Sequence, residues 1–337
     1  MCGYVSRNRS IKSRATSVLA AVVLAFFACH GGGSAIAGQI GAVKHAAAEV
    51  TGDRTAVQGN SSPGAPPAAA TAPLGEPALA QAHAYLFRGA LGLIFSRGMD
   101  KLAAKIQRAG IITNVYEFTI CHLITATAIE DYKSKPFPIV LIGHSMGGRC
   151  ALEFSEKLKD EGIPVSLVVT IDPAHLSPDV PNNVDRFINI FLAKDVLGGG
   201  DIKPAQDFRG HYASYDLSRR DEVLHINIDK MDAVHQQLAA KVVEAVGSSA
   251  KTEGETVPLR YTVPPKTVIE LWDSGMWVTA RPGDTLQTIA AQYRLPTWAL
   301  TQSNQVAENA SLVPGQRVVV PRHLAPPAAA EPISSKR

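Results

Sequence analysis

The sequence has no surplus of charge that could bind a nucleic acid. Its 337 residues include 33 Lys and Arg and 30 Asp and Glu, and four of the basic residues lie before residue 38, in a stretch without any acidic residue. The rest of the chain therefore carries 29 basic and 30 acidic side chains. Proteins that bind nucleic acid need a basic patch, so this function class is excluded.

The chain is also poor in cysteine and lacks the motifs of a metal or cofactor site. Two of its four cysteines, Cys2 and Cys29, lie in the N-terminal region, which leaves Cys121 and Cys150. Their spacing matches neither a zinc site nor a disulfide framework, so we expect two small buried thiols; a disulfide between them is the unsupported alternative. Phosphate-binding loops and dinucleotide fingerprints do not occur, so no cofactor and no metal are expected.

Composition and length fit a globular protein of about two domains, because 46% of the residues are hydrophobic and 19% are charged. The apolar run Val18 to Ala28 is too short to span a bilayer. It follows four basic residues and precedes Ala35-Ile36-Ala37, a pattern typical of a signal peptide over 1–37. We therefore expect export to the periplasm or cell envelope. An uncleaved signal, or a lipid on Cys29, is the alternative route to a membrane.

Composition divides the rest of the chain into two candidate domains and three flexible segments. Residues 38–81 are rich in Ala and Pro, and residues 247–275 are polar and contain proline. Residues 324–337 contain the Ala/Pro run Ala325 to Ala330 and the charged tail Glu331 to Arg337. Such segments bury too little apolar surface to fold, so we expect two linkers and a disordered tail. The candidate domains are 82–246 and 276–323.

In the first candidate domain, short β-rich runs alternate with segments of helical periodicity. This alternation predicts an α/β fold, a mostly parallel sheet with helices on both faces. Periodicity of three and four predicts helices over Gly98 to Ala109, Met146 to Lys159 and Ala233 to Val246. The predicted strands are His83 to Phe87, Thr113 to Phe118, Pro138 to Ile142, Val165 to Ile171, Phe187 to Leu192 and Val223 to Ile228.

The motif Gly143-His144-Ser145-Met146-Gly147 follows a predicted strand and opens a predicted helix. A G-x-S-x-G pentapeptide alone is a weak signal, but this context strengthens it. The turn must lift the serine oxygen out of the sheet, and the strained backbone needs tiny residues two before and two after Ser145. The sequence therefore predicts a nucleophilic serine.

With this elbow in place, residues 82–246 resemble the α/β-hydrolase superfamily, in its lipase, esterase and thioesterase branches. The resemblance implies a Ser-His-Asp triad in which the acid follows the serine and the histidine comes last. Asp172, in the turn Asp172-Pro173-Ala174 after a strand, is the preferred acid. Asp195, after the next strand, is the alternative.

Several histidines follow the serine. His225 is the preferred general base, because the base should lie just after the last strand and about eight residues before the C-terminal helix. His211, in a predicted loop, is its main competitor. His235 lies in the predicted helix and is expected to be a surface residue, while His144 is expected to be structural. The remaining candidates are His175 and His323.

The resemblance also implies the reaction, in which Ser145 forms an acyl-enzyme that water hydrolyses. The oxyanion needs two backbone donors. We expect one at Met146, at the start of the helix, and one at Ala90 or Leu91, in the loop after the first strand.

The second candidate domain resembles a LysM domain over nearly its whole length, a βααβ module that binds glycans containing N-acetylglucosamine. The resemblance rests on the segments Trp277 to Ala290 and Leu312 to Pro321. Asp284 or Thr285 can cap its first helix, and Asn304 is expected to hold the fold. The implied glycan groove is lined by Gly283, Asp284, Thr285, Leu312, Val313 and Pro314.

Together these features predict an exported serine hydrolase for esters or thioesters that is anchored to peptidoglycan. A wall-binding protein with a decayed hydrolase fold is one alternative. An esterase or amidase that acts on peptidoglycan itself is another.

Overall fold

A computed structural model of the chain describes residues 81–248 and 254–323. The predicted signal peptide, nearly all of the first predicted linker and the predicted tail over 324–337 lie outside the described residues. Both candidate domains lie within them.

In the part of the chain that the structure describes, seven strands form one parallel sheet: β1 (His83–Arg88), β2 (Ile112–Glu117), β3 (Ile139–His144), β4 (Leu167–Ile171), β5 (Arg186–Phe191), β6 (His211–Asp216) and β7 (Leu259–Thr262). Their order is β2-β1-β3-β4-β5-β6-β7, and every neighbouring pair is parallel. Strands β3, β4 and β5 are buried along their whole length, as in sheets covered on both faces.

The helices that accompany this sheet within the described residues are α1 (Gly92–Phe95), α2 (Gly98–Arg108), α3 (Cys121–Ser134), α4 (Met146–Asp160) and α5 (Asp232–Gly247). Helix α2 packs against α5, and α3 packs against α4. Because successive side chains of a strand face opposite ways, Ala84 and Leu86 enter one core while Tyr85 and Phe87 enter the other. The predicted α/β class, with helices on both faces, is confirmed.

One predicted strand is wrong. Residues Val223 to Ile228 form turns that lead into a 3-10 helix, Ile228–Lys230. The sixth strand is instead β6, so His211 lies in a strand where a loop was expected. The pattern misled because β6 is polar in sequence, HYASYD, yet buried, whereas Val223 and Ile228 reach the core from a loop.

Cys121 and Cys150 are joined by a disulfide bond. The expectation of two separate thiols is therefore wrong, and the alternative holds. The pairing follows from the packing of α3 against α4, because Cys121 is the first residue of α3 and Cys150 lies in the first turns of α4. The bond ties these two helices together.

The C-terminal module has the βααβ order that its sequence predicts. Strands β8 (Trp272–Thr279) and β9 (Arg317–His323) pair antiparallel, and helices α6 (Leu286–Tyr293) and α7 (Thr297–Asn304) lie between them in the chain. Thr285 is the N-cap of α6, in a capping box with Thr288. The Asn304 amide bonds both the N–H and the C=O of Val319, which makes it a fold residue as expected.

The segment expected to be a linker, 247–275, carries β7 and the start of β8. Helix α7 covers the free edge of β7, because the Gln302 amide accepts from the Thr262 N–H (3.0 Å) and donates to the Thr262 C=O (2.9 Å). Beside this contact, Trp272 packs against Tyr261 and Trp298, with ring centroids 5.3 and 5.8 Å away. The module therefore completes the sheet edge, which a linker would leave open.

A buried ion cluster crosses the same boundary. Asp273 of β8 is 1% exposed, and its carboxylate lies 2.5 Å from Lys241 Nζ and 3.3 Å from His211 Nδ1. Burial opposes ionisation, but the His211 bond and the Lys241 charge outweigh it and lower the pKa of Asp273. Arg186 Nε of β5 lies 3.5 Å from the same carboxylate, so groups of β5, β6 and α5 surround this carboxylate of β8.

We predict that Gln302→Ala lowers the free energy of unfolding by about 1–2 kcal/mol, because two backbone groups of the edge strand lose their partner. Urea unfolding should be followed by tryptophan fluorescence and by far-UV circular dichroism. All three tryptophans lie in β8 and α7, so fluorescence reports on the module.

The matched control is Gln287→Ala on α6, whose amide makes only an exposed bond to Glu308 at 3.3 Å. It should leave the midpoint unchanged, and in all proteins the two probes should give one transition. Equal midpoints for the two variants, or separate transitions for the two probes, contradict the docking described above.

Candidate active site

Ser145 stands at a sharp turn between β3 and α4. Its φ is 57° and its ψ is −122°, a conformation that strains a residue with a side chain. The turn leaves no room beside it: a Cβ on Gly143 would lie 2.0 Å from the Gly147 oxygen, and one on Gly147 would lie 2.2 Å from the Phe87 oxygen. The two glycines are therefore required by close approach, and Ser145 stays partly exposed.

Two backbone bonds hold the turn against the neighbouring strand. The Ser145 N–H donates to the Ile171 oxygen, and the Ser145 oxygen accepts from the Ala174 N–H, both at 3.0 Å. Because β3 and β4 are parallel neighbours, their carboxyl ends meet at one edge of the sheet. This edge brings Ser145 beside Asp172.

His225 Nδ1 lies 2.6 Å from Asp172 Oδ2, within hydrogen-bond distance. Asp172 is fully buried, and its other oxygen accepts from the Leu192 N–H at 3.1 Å. Since a carboxylate only accepts, His225 carries its proton on Nδ1 and presents Nε2 as a base. Within the described residues Ser145 Oγ makes no hydrogen bond to His225, a contact that often tightens only when substrate binds.

The alternative acid, Asp195, lies in the same cluster. One atom each from Asp172, Asp195 and His225 lie within 4.8 Å of one another. Asp195 Oδ1 accepts from the Leu197 N–H at 2.8 Å, so it is engaged by its own loop.

The other histidines that follow Ser145 have other hydrogen-bond partners. His211 is the first residue of β6, so it lies at the amino ends of the strands, away from Ser145. It contacts Ser274 and Asp273. His235 is 1% exposed and bonds the Asp229 oxygen at 2.7 Å, so its expected surface position is wrong. His175 and His323 bond backbone oxygens through Nε2.

The loop after β1 lies directly against Ser145. A Cβ on Gly89 would lie 2.7 Å from Ser145 Cβ, so only glycine fits there. Ala90 and Leu91 follow, and Leu91, with φ 55°, precedes α1. Met146 is the first residue of α4, where helix N–H groups have no partner within the helix. The expected oxyanion donors therefore flank the serine on the same edge.

Large apolar side chains stand exposed around this edge. Among the described residues, seven of the eleven exposed large hydrophobic side chains follow β1, β2, β4, β5 or β6, at the carboxyl ends of the strands. Isolated exposed apolar residues are ordinary on protein surfaces, so what these seven share is their place in the chain, after strands of the sheet that carries Ser145. The seven are Leu91, Ile94, Ile120, Leu123, Leu176, Val196 and Leu224.

Three further residues near the site, two polar and one glycine, were not predicted. Asp229 Oδ2 accepts from the Gly98 N–H at 2.8 Å, which ties the start of α2 to the loop that carries His225. Burial raises the pKa of Asp229 to about 6, although the bond from Gly98 lowers it. Ser96 contacts the Gly89 N–H and His144. Gly198 backs the Asp172 carboxylate. No sequence signal marks them, because each acts through a distant contact.

The two segments of the expected glycan groove lie side by side. The Leu312 N–H donates to the Asp284 oxygen at 3.2 Å, and Thr285 pairs with Ser311. Gly283, with φ 85°, makes the turn, and Asp284 Oδ2 accepts from the Arg281 N–H. Leu312 is buried, so its side chain belongs to the core, while Val313 is 68% exposed and Pro314 is exposed.

Over residues 81–248 and 254–323, the structure has no helix that is both long and apolar enough to cross a membrane.

Comparison with family models gives two matches. The model of the thioesterase domain matches residues 121–290, and the model of the LysM domain matches residues 278–321. A comparison with curated proteins gives no match.

Solved structures give remote matches. The NocB thioesterase domain from the nocardicin cluster is 14% identical, with 51% of this chain and 97% of that chain covered and a TM-score of 0.33. A protein from Xanthomonas campestris pv. campestris described as an alpha/beta superfamily hydrolase is 19% identical, with 37% and 76% covered and a TM-score of 0.26. The type II thioesterase YbtT is 17% identical, with 28% and 43% covered and a TM-score of 0.21.

We predict that Asp172→Asn slows the labelling of Ser145 by a fluorophosphonate by about 10³- to 10⁴-fold, because an amide in place of the carboxylate stabilises the wrong imidazole tautomer. Asp195→Asn is the matched control and should slow labelling less than about tenfold. The rates are measured by mass spectrometry of the intact protein. A larger loss in Asp195→Asn than in Asp172→Asn would assign the acid to Asp195.

Proposed function

Because the chain belongs to the thioesterase family of α/β-hydrolases, we propose that it is an exported serine hydrolase of carboxylic esters or thioesters, held on peptidoglycan by its LysM domain. The observation that carries the enzymatic part is the strained turn at Ser145 beside the 2.6 Å bond between His225 and Asp172. A strained turn is retained where the exposed hydroxyl is used.

The reaction is a two-step acyl transfer. His225 Nε2 takes the proton of Ser145 Oγ as this oxygen bonds to the acyl carbon, and Asp172 stabilises the imidazolium that forms. The imidazolium then protonates the departing alcohol or thiol as its bond to the acyl carbon breaks. Water, deprotonated by the same imidazole, releases the acid and restores the serine.

In this proposal the N–H groups of Met146 and of Ala90 or Leu91 bind the developing oxyanion. The contact between Gly89 and Ser145 supports this role, because it holds the loop after β1 against the nucleophile. Donors fixed before the reaction are effective, and removing one such donor costs about 2.7–4 kcal/mol in other hydrolases.

The exposed apolar side chains around the site support an acyl group with a substantial hydrocarbon part. Leu224 adjoins the proposed base, Val196 adjoins Asp195, and Leu91 lies in the oxyanion loop. An apolar acyl chain that covers these side chains removes them from water, worth about 25 cal/mol per Å².

In this proposal the LysM domain binds glycan that contains N-acetylglucosamine, and peptidoglycan is the anchoring partner. The candidate contacts are the backbone of the turn Gly283 to Thr285 and the exposed Val313 and Pro314. The signal-like N-terminus supports delivery to the periplasm or cell envelope. Binding there raises the local concentration of the enzyme on the wall.

We predict that Ser145→Ala lowers turnover of a p-nitrophenyl ester and of an acyl thioester by more than about a thousandfold, because the nucleophile is lost. Ser155→Ala, which removes a buried hydroxyl bonded only to the Leu152 oxygen, is the matched control and should keep full turnover. Full turnover by Ser145→Ala refutes the serine mechanism. Lack of turnover by the wild type favours a wall-binding protein, and acetate release from O-acetylated peptidoglycan favours an enzyme of the wall itself.

Binding to the wall is tested by cosedimentation of the full chain with insoluble peptidoglycan. Val313→Asp should weaken binding by about tenfold, because a charge replaces an apolar contact at the groove. Val268→Asp changes an equally accessible valine, 81% exposed and outside both groove segments, and should bind as the wild type does. Equal binding by the two variants would move the glycan site elsewhere.

A further inference from the structure

Ser96 is a buried hydroxyl at the junction of three loops of the candidate site. It is 1% exposed and follows α1, in the connection between β1 and α2. Its Oγ accepts from the Gly89 N–H at 3.1 Å and lies 2.7 Å from His144 Nδ1. The other ring nitrogen of His144, Nε2, lies 3.0 Å from the backbone oxygen of His225.

The chemistry of these groups allows one arrangement of protons. A carbonyl oxygen only accepts, so His144 Nε2 carries the hydrogen that it donates to His225. His144 Nδ1 is then the acceptor in a neutral ring, and the Ser96 hydroxyl donates to it. The Ser96 oxygen also accepts from the Gly89 N–H. Every donor and acceptor in this series of hydrogen bonds therefore has a partner.

The His144 ring stays neutral through the accessible pH range. Burial, together with the charges of His225 and Lys230, lowers the pKa of His144 to about 3. A charged ring would carry a proton on Nδ1 and could not accept from Ser96. Neutrality therefore preserves the single proton arrangement.

Each end of this chain sits beside a reacting group of the proposed function. Gly89 packs against the Ser145 side chain and precedes Ala90, a proposed oxyanion donor. His225 is the proposed base, and the bond from His144 fixes its backbone while Asp172 fixes its ring. His144 itself immediately precedes the nucleophile in the chain.

We propose that Ser96 is a positioning residue: its hydroxyl, through His144, locks the oxyanion loop and the base-carrying loop onto the nucleophile strand. This inference rests on the proposed serine-hydrolase function. Ser96 touches no reacting atom, so it acts on the geometry of the transition state and leaves the binding of the ground-state substrate unchanged.

The test compares Ser96→Thr with Ser96→Val, which have nearly the same shape and differ in the hydroxyl. The extra methyl group of the two variants is the same, so any cost of fitting it into the buried site cancels between them. Ser96→Thr should keep kcat within about threefold of the wild-type value. Ser96→Val should lose a further 10- to 100-fold in kcat relative to Ser96→Thr, with KM within about twofold.

A second readout separates positioning from loss of stability. A small boronic acid that forms a tetrahedral adduct with Ser145 imitates the transition state. Its affinity should fall in Ser96→Val by the same factor as kcat/KM, while the affinity for the product carboxylate should stay unchanged. Ser96→Ala should lower the unfolding midpoint more than Ser155→Ala, because it leaves the Gly89 N–H and His144 Nδ1 without a partner, so kcat is compared at a temperature where both variants are folded. Only Ser96→Ala should lower kcat.

The outcomes distinguish this inference from the function on which it rests. If Ser145→Ala is inactive and Ser96→Thr and Ser96→Val share the same kcat and the same affinity for the boronic acid, the positioning role is refuted and the proposed function stands. If Ser145→Ala keeps full turnover, both are refuted. If the Val variant alone loses kcat and boronic acid affinity, the positioning role is supported.

Discussion

At Ser145 the backbone adopts a left-handed φ that a residue with a side chain adopts only when its surroundings hold it there. Glycines 143 and 147 make the turn sterically feasible, and bonds to Ile171 and Ala174 hold it against β4. The rest of the site follows from this turn, because it sets where the acid at the end of β4 and the loop after β1 must lie. A buried parallel sheet is the scaffold that gives such a turn rigid neighbours on both sides.

The sequence predicted those strands whose residue types match their burial in the structure. Strands β1, β3, β4 and β5 are mostly apolar runs, as expected for strands buried on both faces. Strand β6 was missed because its polar groups find partners far away in the chain, such as Tyr215 with the Trp272 oxygen at 2.6 Å. Strand β7 was missed because its pairing with β6 and its cover by Gln302 are both tertiary.

The same distinction applies within the site. The elbow was predictable because strand, turn and helix are contiguous in the chain. The choice between Asp172 and Asp195 was not, since both end neighbouring strands at one edge and their carboxylates come together around His225. Asp172 makes the hydrogen bond, and that fact depends on a side-chain geometry that no spacing rule contains. The partnership of Ser96 with His144 is hidden for the same reason, because the two residues are 48 positions apart in the chain.

The covalent link between Cys121 and Cys150 encloses a stretch of chain that contains α3, β3 and the elbow, with a sequence separation of 29 residues. Closing a loop of that length removes freedom from the unfolded chain worth roughly 3–4 kcal/mol in the chain-entropy description. Such a link survives in oxidising compartments and is absent where glutathione keeps thiols reduced. In a reducing compartment the same chain lacks this covalent link, so its unfolded state keeps that freedom and the fold is less stable by about the same amount.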